Sequence, residues 1–378
     1  MFIIGHDNIL HLLLKMSQSP LSIYIHWPYC LSKCPYCDFN SHVAKTVDHD
    51  QWLEAYLKQI DAYQALINNR PIHSIFFGGG TPSLMEPFVV EKLIEKLNPQ
   101  NVEITLEANP TSIEISKLKA FKNAGVNRIS MGIQALNNVD LKFLGRTHSA
   151  KEALQGLETA RSLFDNVSFD LIYARPHQTI DAWSQELRQA LSYGTKHLSL
   201  YQLTIEDNTP FEIQYKKGRF QLPKDDLSTD LYLLTEKITQ EHGLTQYEVS
   251  NYAKPSFESK HNLSYWHYQD YLGIGPGAHS RVTIDGEKWG IEQIKSPKTW
   301  LETQEEKRYL IDDVWIEKIM MGLRLKKGFK LDFSPTQSIL QLVDLGLLQY
   351  ENNTLSATNE GFLKLNSIID YIFSSLHS

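Results

Sequence analysis

The sequence predicts an α/β protein: an incomplete, TIM-like parallel barrel of six strand–helix units, (β/α)6, followed by a smaller α+β unit of winged-helix-like layout. Three observations predict it. From Leu21 to Leu203, short β-branched and aromatic runs alternate with stretches of helical apolar spacing, the pattern of a parallel sheet. That span fits six units at roughly 31 residues each, whereas a closed eight-unit barrel takes about 250 residues. After residue 305 the rhythm changes, and helices and a hairpin replace the alternation.

Taken in order, Leu21–Trp27 reads as a strand ending at Pro28. Trp52, Leu53, Tyr56, Leu57, Ile60 and Tyr63 space a helix within residues 47–67. Strands follow at 72–77, 102–107, 128–133, 167–173 and 197–203, with helices at 87–97, 112–124, 150–163 and 180–191 between them. The strand 72–77 runs into Gly78-Gly79-Gly80, where backbone can approach a ligand closely. Polar residues gather at or near the C-terminal ends of the strands (Glu107, Gln134, Asp170, Gln202), the face where barrels carry function. An open barrel of this kind leaves a lateral mouth.

Residues 206–305 form a barrel extension. Leu227, Leu231, Leu234 and Ile238 space a helix at 226–242. The stretch from Tyr247 to His279 is dense in rings and imidazoles. It suits either a pocket for a flat macrocycle or an aromatic core with hydrogen-bonded histidines. Residues 306–378 form the last unit: helices at 311–325 and 335–345, a hairpin around Asn352-Asn353, and a closing helix at 360–373. This unit holds 8 Lys and Arg against 9 Asp and Glu, so it reads as a lid or docking module rather than a DNA-binding one. Residues 1–20 form an N-terminal extension. No Lys or Arg precedes the apolar Ile9–Leu14, and no small-residue cleavage site follows, so it does not read as a secretory signal. It reads as a short amphipathic helix or as residues upstream of a start at Met16.

All three cysteines fall in Cys30-Leu-Ser-Lys-Cys34-Pro-Tyr-Cys37. Thiolates are soft ligands for iron–sulfur clusters, zinc or copper(I). The odd count and close spacing exclude a disulfide framework. Zinc would need a fourth ligand, with His26 the nearest candidate, and zinc sites usually pair two separated couples. Three thiolates instead suit three irons of a cubane with the fourth iron open. The spacing, three residues and then two, is that of radical S-adenosylmethionine proteins.

A net charge of −7 disfavours nucleic acid as a partner. Cysteines confined to one metal motif suit a reducing cytoplasm, and we expect a cytoplasmic protein. No run of about 18 apolar residues occurs, so no transmembrane segment is expected and only peripheral membrane contact remains.

Further motifs extend the likeness. Tyr24-Ile-His-Trp, Gly78-Gly-Gly-Thr-Pro82, Glu107-Ala-Asn-Pro, Met131-Gly-Ile-Gln134 and Gly145-Arg146-Thr-His resemble the oxygen-independent coproporphyrinogen III oxidase superfamily. Tyr247-Glu-Val-Ser-Asn-Tyr-Ala, His261-Asn-Leu-Ser-Tyr265-Trp266 and Gly273-Ile-Gly-Pro-Gly-Ala-His-Ser resemble its haem-chaperone branch. The resemblance implies a 4Fe-4S cluster on Cys30, Cys34 and Cys37. It places Tyr24, Tyr36, Gly79, Gly80, Thr81 and Glu107 at S-adenosylmethionine. Gln134, Arg146 and Asp170 match residues at a second S-adenosylmethionine of the oxidase. In the chaperone branch the His261 motif is linked to haem. Imidazole is a usual haem ligand, so His261 is the first candidate, with His267 and His279 behind it. The decarboxylating enzymes carry a fourth cysteine two places after the third, and here that place is Phe39.

Two functions follow from the resemblance. The favoured one is a haem chaperone that delivers haem to an acceptor protein the sequence does not name. The alternative is a radical enzyme that oxidatively decarboxylates coproporphyrinogen III. No catalytic residue is assigned.

Overall fold

The computed structural model describes residues 19–68 and 70–375. The reading of residues 1–20 as an extension therefore lies almost wholly outside the described residues.

Six strands form in the order expected: β1 (Leu21–Trp27), β2 (Ile72–Gly79), β3 (Glu103–Ala108), β4 (Arg128–Gln134), β5 (Asn166–Tyr173) and β6 (His197–Gln202). Each pairs in parallel with the next. Helices His49–Ala62, Pro87–Leu97, Ser112–Asn123, Ala150–Leu163 and Ile180–Ser192 make the crossovers. Local chemistry sets their starts. Asp48 accepts the Gln51 N–H, Pro87 opens its helix at the first turn, and Ser149 with Glu152 forms a capping box. A short helix, Asn138–Phe143, was not anticipated; Asn137 caps it through the Asp140 N–H.

The strands alternate, apart from register slips after Leu21 and after Met131. Ile23, Ile25, Ile75, Phe77, Leu106, Ile129, Met131, Phe169 and Leu200 join the main apolar core. Their neighbours in sequence point the other way, into a polar lumen that holds Ser22, Ser74, Thr105, Arg128, Ser168 and His197.

The sheet does not stop at six strands. Tyr271–Ile274 pairs in parallel with β1, followed by the hairpin His279–Ile284 and Glu287–Gln293 and by Glu306–Leu310. Beyond β6, Asn251–Ala253 and Thr245–Gln246 add antiparallel strands. The result is one twelve-stranded sheet whose end strands, Thr245–Gln246 and Glu306–Leu310, are not bonded to each other, so the barrel is incomplete. Glu306–Leu310, taken from sequence as the start of the last unit, thus belongs to the large sheet.

Part of the polar–aromatic stretch packs against the N-terminal ends of the lumen strands. Within it, helix Lys260–Trp266 starts on the Glu103 carboxylate, which accepts the Lys260 N–H at 3.0 Å. Its Ser264 accepts the Ser22 hydroxyl at 2.8 Å, and Ser22 accepts that of Ser74 at 2.9 Å. The other face of the helix presents Leu263 and Trp266 to a second apolar core around Ile319, Leu342, Leu355 and Ile368. That core belongs to a small winged-helix-like unit. It comprises helices Val314–Gly322 and Gln337–Asp344, the hairpin Leu348–Glu351 and Thr354–Ala357 joined by Phe329–Lys330, and the helices Asn359–Leu363 and Leu365–Ser374. Arg281 clamps it to the barrel through Glu317, at 2.8 and 2.9 Å.

Candidate functional site

The cysteine loop leaves the C-terminal end of β1. Its two ends are tied by the short parallel pair Tyr29–Cys30 and His42–Val43. Asn40 fastens it from outside: its amide donates to the Pro276 and Lys295 carbonyls, each at 3.0 Å, and its carbonyl accepts from His26 Nε2 at 2.9 Å. The other ring nitrogen, Nδ1, lies 2.9 Å from the Tyr24 hydroxyl. With both nitrogens engaged, His26 is not a free fourth ligand.

Cys30, Cys34 and Cys37 are free and line a cavity of about 440 Å³ at the C-terminal mouth of the barrel. Two donors are aimed at sulfur. The Thr81 hydroxyl donates to Cys30 Sγ at 3.3 Å, and Arg146 Nη1 donates to Cys34 Sγ at 3.2 Å. Burial pushes the Cys30 and Cys37 thiols up, so without metal these sulfurs favour the neutral form. Soft donors in one loop, with hydrogen bonds waiting for sulfur charge, fit a thiolate-held iron–sulfur cluster.

The structure gathers most of the predicted residues around this cavity. Tyr36, Gly79, Gly80, Thr81, Glu107, Gln134, Arg146 and Asp170 all line it. Gly79 sits at φ +110°, and a Cβ there would lie 2.6 Å from His26. Its N–H donates to Glu107. The Gly80 and Thr81 N–H groups donate to the Trp27 and Tyr29 carbonyls at 2.7 and 2.9 Å, so they brace the cysteine loop rather than face the cavity. Gln134 takes φ +77° where the register slips after Met131, and its Oε1 accepts from the Tyr201 hydroxyl at 2.9 Å.

Glu107 and Asp170 face each other's fields. Burial, then the Asp170 charge, pushes Glu107 up to about 8. Burial raises Asp170 to about 6 against hydrogen bonds from Ser199 and Ser130 and the charges of Arg128 and Arg146.

Two predicted residues lie elsewhere. Tyr24 is inward on β1 but deeper, flanked by the Phe76 and His261 rings with centroids at 6.3 Å. His261 is buried, stacks on Phe76 at 4.9 Å, and is absent from the cavity wall. Its Nδ1 is 2.8 Å from Ser74 Oγ and its Nε2 is 2.8 Å from the Tyr265 hydroxyl. Of its runners-up, His267 is exposed, and the His279 side chain is 48 % exposed, 3.9 Å from Glu292. Asn109, Arg128, Ser199 and Tyr201 line the cavity and were missed. For the three on strands, the inward period-two positions were the available signal.

Comparison with known proteins places this geometry. The profile of the Radical SAM superfamily matches residues 24–190. A Haemophilus influenzae protein named heme chaperone HemW is 41% identical over 79% of this chain and 79% of its own. A Danio rerio protein named radical S-adenosyl methionine domain-containing protein 1, mitochondrial, is 34% identical over 94% of this chain and 87% of its own. Among solved structures, coproporphyrinogen III oxidase (HemN) from Escherichia coli, a radical SAM enzyme, superposes with a TM-score of 0.77. It covers 93% of this chain and 89% of that one at 23% identity, a likeness of fold.

Proposed function

Because the chain belongs to the radical SAM superfamily and, within it, to the family of the proteins named heme chaperone HemW, we propose that it carries haem to acceptor proteins. The family implies a 4Fe-4S cluster and S-adenosylmethionine. Cys30, Cys34 and Cys37 would hold the cluster, and the cavity floored by Glu107 and Asp170 would take S-adenosylmethionine. When bound, the pair supplies one-electron chemistry. In the carrier the cluster and S-adenosylmethionine would serve a gating or structural role rather than turnover.

The observation that carries the choice is Phe39. It stands two places after Cys37, where the resemblance puts a fourth thiol in the decarboxylating enzymes, and it is 57% exposed on the cavity wall. A phenyl ring there offers apolar surface and no sulfur. The second reading, oxidative decarboxylation of coproporphyrinogen III, rests on likeness of fold.

Haem iron could take His261 only if the Tyr265 hydroxyl released Nε2. His279 needs no such release, because its ring is half exposed beside the loop held by Asn40. The acceptor protein, a cytoplasmic setting and any peripheral membrane contact stand as parts of the same proposal. No described helix is long and apolar enough to cross a membrane.

The test is a haem titration of anaerobically reconstituted protein, run beside an assay of carbon dioxide release from coproporphyrinogen III with S-adenosylmethionine and reductant. The carrier binds about one haem per chain with no sustained release. Many turnovers of decarboxylation would replace this reading with the second.

A further inference from the structure

We infer that Asn109 is a positioning residue that joins the two sulfur-directed hydrogen bonds of the site into one unit and through them sets the reduction potential of the cluster. The inference rests on the reading that Cys30, Cys34 and Cys37 hold that cluster.

Asn109 lies just beyond the end of β3, at the cavity wall. Its Nδ2 donates to Thr81 Oγ1 at 3.2 Å, and the Thr81 hydroxyl donates in turn to Cys30 Sγ at 3.3 Å. Its Oδ1 accepts from Arg146 Nη2, and the other arm of the same guanidinium donates to Cys34 Sγ at 3.2 Å. One carboxamide therefore orients a hydroxyl onto one sulfur and a cation onto another.

The residue type fits the task. Occupying the Thr81 oxygen as an acceptor leaves that hydroxyl's only proton for sulfur. The same side chain must also accept from an arginine. An aspartate would serve Arg146 but could not donate to Thr81, and an aliphatic residue would serve neither. The backbone at both ends is held independently. The Asn109 N–H donates to Glu114 at 2.7 Å, and the Thr81 N–H donates to the Tyr29 carbonyl. Arg146 is also anchored on the Gly132 carbonyl at 2.8 Å.

The consequence is electrostatic. A reduced cluster carries one more negative charge on iron and sulfur than an oxidised one. Donors aimed at its sulfurs stabilise the reduced state and raise the potential. A charged donor does so more strongly than a neutral one. Cys37 has a weaker partner, with Ser41 Oγ 4.0 Å away, so the donors are unequally shared among the three sulfurs.

The experiment is a potentiometric titration of the cluster-loaded full chain without S-adenosylmethionine, followed by electron paramagnetic resonance. Thr81→Val removes one proton from a side chain of the same shape and should lower the potential; Thr81→Ser should restore it. Asn109→Leu leaves the Thr81 hydroxyl unoriented and Arg146 without its second acceptor beside Gly132, and should lower it too. Should Asn109→Leu fail to load cluster, Asn109→Ala takes its place in the titration. An unchanged potential in Thr81→Val, or in a fully loaded Asn109→Leu, overturns the inference. Failure of the wild-type chain to take up a cluster would instead overturn the cofactor reading beneath it.

Discussion

His261 Nδ1 sits 2.8 Å from the Ser74 hydroxyl oxygen, inside the barrel rather than at its mouth. The Ser74 hydroxyl proton is spent on Ser22, so the imidazole N–H must donate to Ser74. Nε2 is then left to accept from Tyr265. Burial holds the ring well below its usual pKa, at about 3, so it is neutral. The histidine thus ties helix Lys260–Trp266 to the lumen.

His261→Ala should therefore cost stability first. It strips partners from two buried hydroxyls and leaves a void under Phe76, together about 2–4 kcal/mol. Urea unfolding of the cluster-free protein measures it. His279→Ala, at a half-exposed ring, should stay within about 0.5 kcal/mol. Equal losses in the two variants would contradict the assignment of His261 as a buried tie.

Replacing Cys34 by Ala should abolish the brown absorbance of anaerobically reconstituted protein and leave no stoichiometric zinc in its place. The loop offers three soft sulfurs, and the imidazole nearest to Cys30 in sequence, His26, is engaged at both nitrogens. Full retention of iron and acid-labile sulfide in this variant would sink the assignment.

Gly277→Ala should loosen the cysteine loop from a distance. Gly277 takes φ +75°, and an added Cβ would lie 2.5 Å from Asn40 Nδ2, the atom that fastens the loop to Pro276 and Lys295. Strain and displacement together should cost about 2–3 kcal/mol and lower cluster content. Gly286→Ala is the control. Its φ is +85° with nothing within 4 Å, so it should cost only about 1–2 kcal/mol in backbone strain and leave the cluster intact. Iron per chain in the two variants separates the effects.

The six barrel strands were legible because each carries an apolar outer face and ends at a turn signal. Two crossover helices, Pro87–Leu97 and Ala150–Leu163, keep the bounds read from sequence. The added strands were not legible. Tyr271–Ile274 is four residues long and runs into a glycine-rich turn, so it has no period to read. The site was legible where motif residues stand on inward positions near strand ends, as Glu107, Gln134 and Asp170 do. Depth was not. Tyr24 and His261 share the lumen but lie below the cavity, and spacing along a chain does not report depth. Asn109 escaped because it sits past the end of its strand, where neither alternation nor helical period applies.

Glu107 makes the folded state sensitive to pH in the direction opposite to most carboxylates. Burial and the Asp170 charge raise it from an ordinary 4.5 to about 8. Between those values the folded chain keeps a proton that the unfolded chain has released. Stability must therefore fall as pH rises through this window, because the slope follows the excess of protons bound by the unfolded state, which is negative here. Glu107→Gln keeps the shape and removes the titration. Relative to wild type, the cluster-free variant should gain on the order of 1–3 kcal/mol on going from pH 5.5 to pH 8.5, discounted for water in the cavity. Part of the window belongs to Asp170, raised to about 6, so Asp170→Asn should flatten its lower half and, by removing a charge that raises Glu107, narrow its upper end. Urea midpoints across the series read the effect. A Glu107→Gln stability curve parallel to wild type from pH 5.5 to 8.5 would show that Glu107 is ionised throughout, and that the cavity floor is more polar than its burial implies.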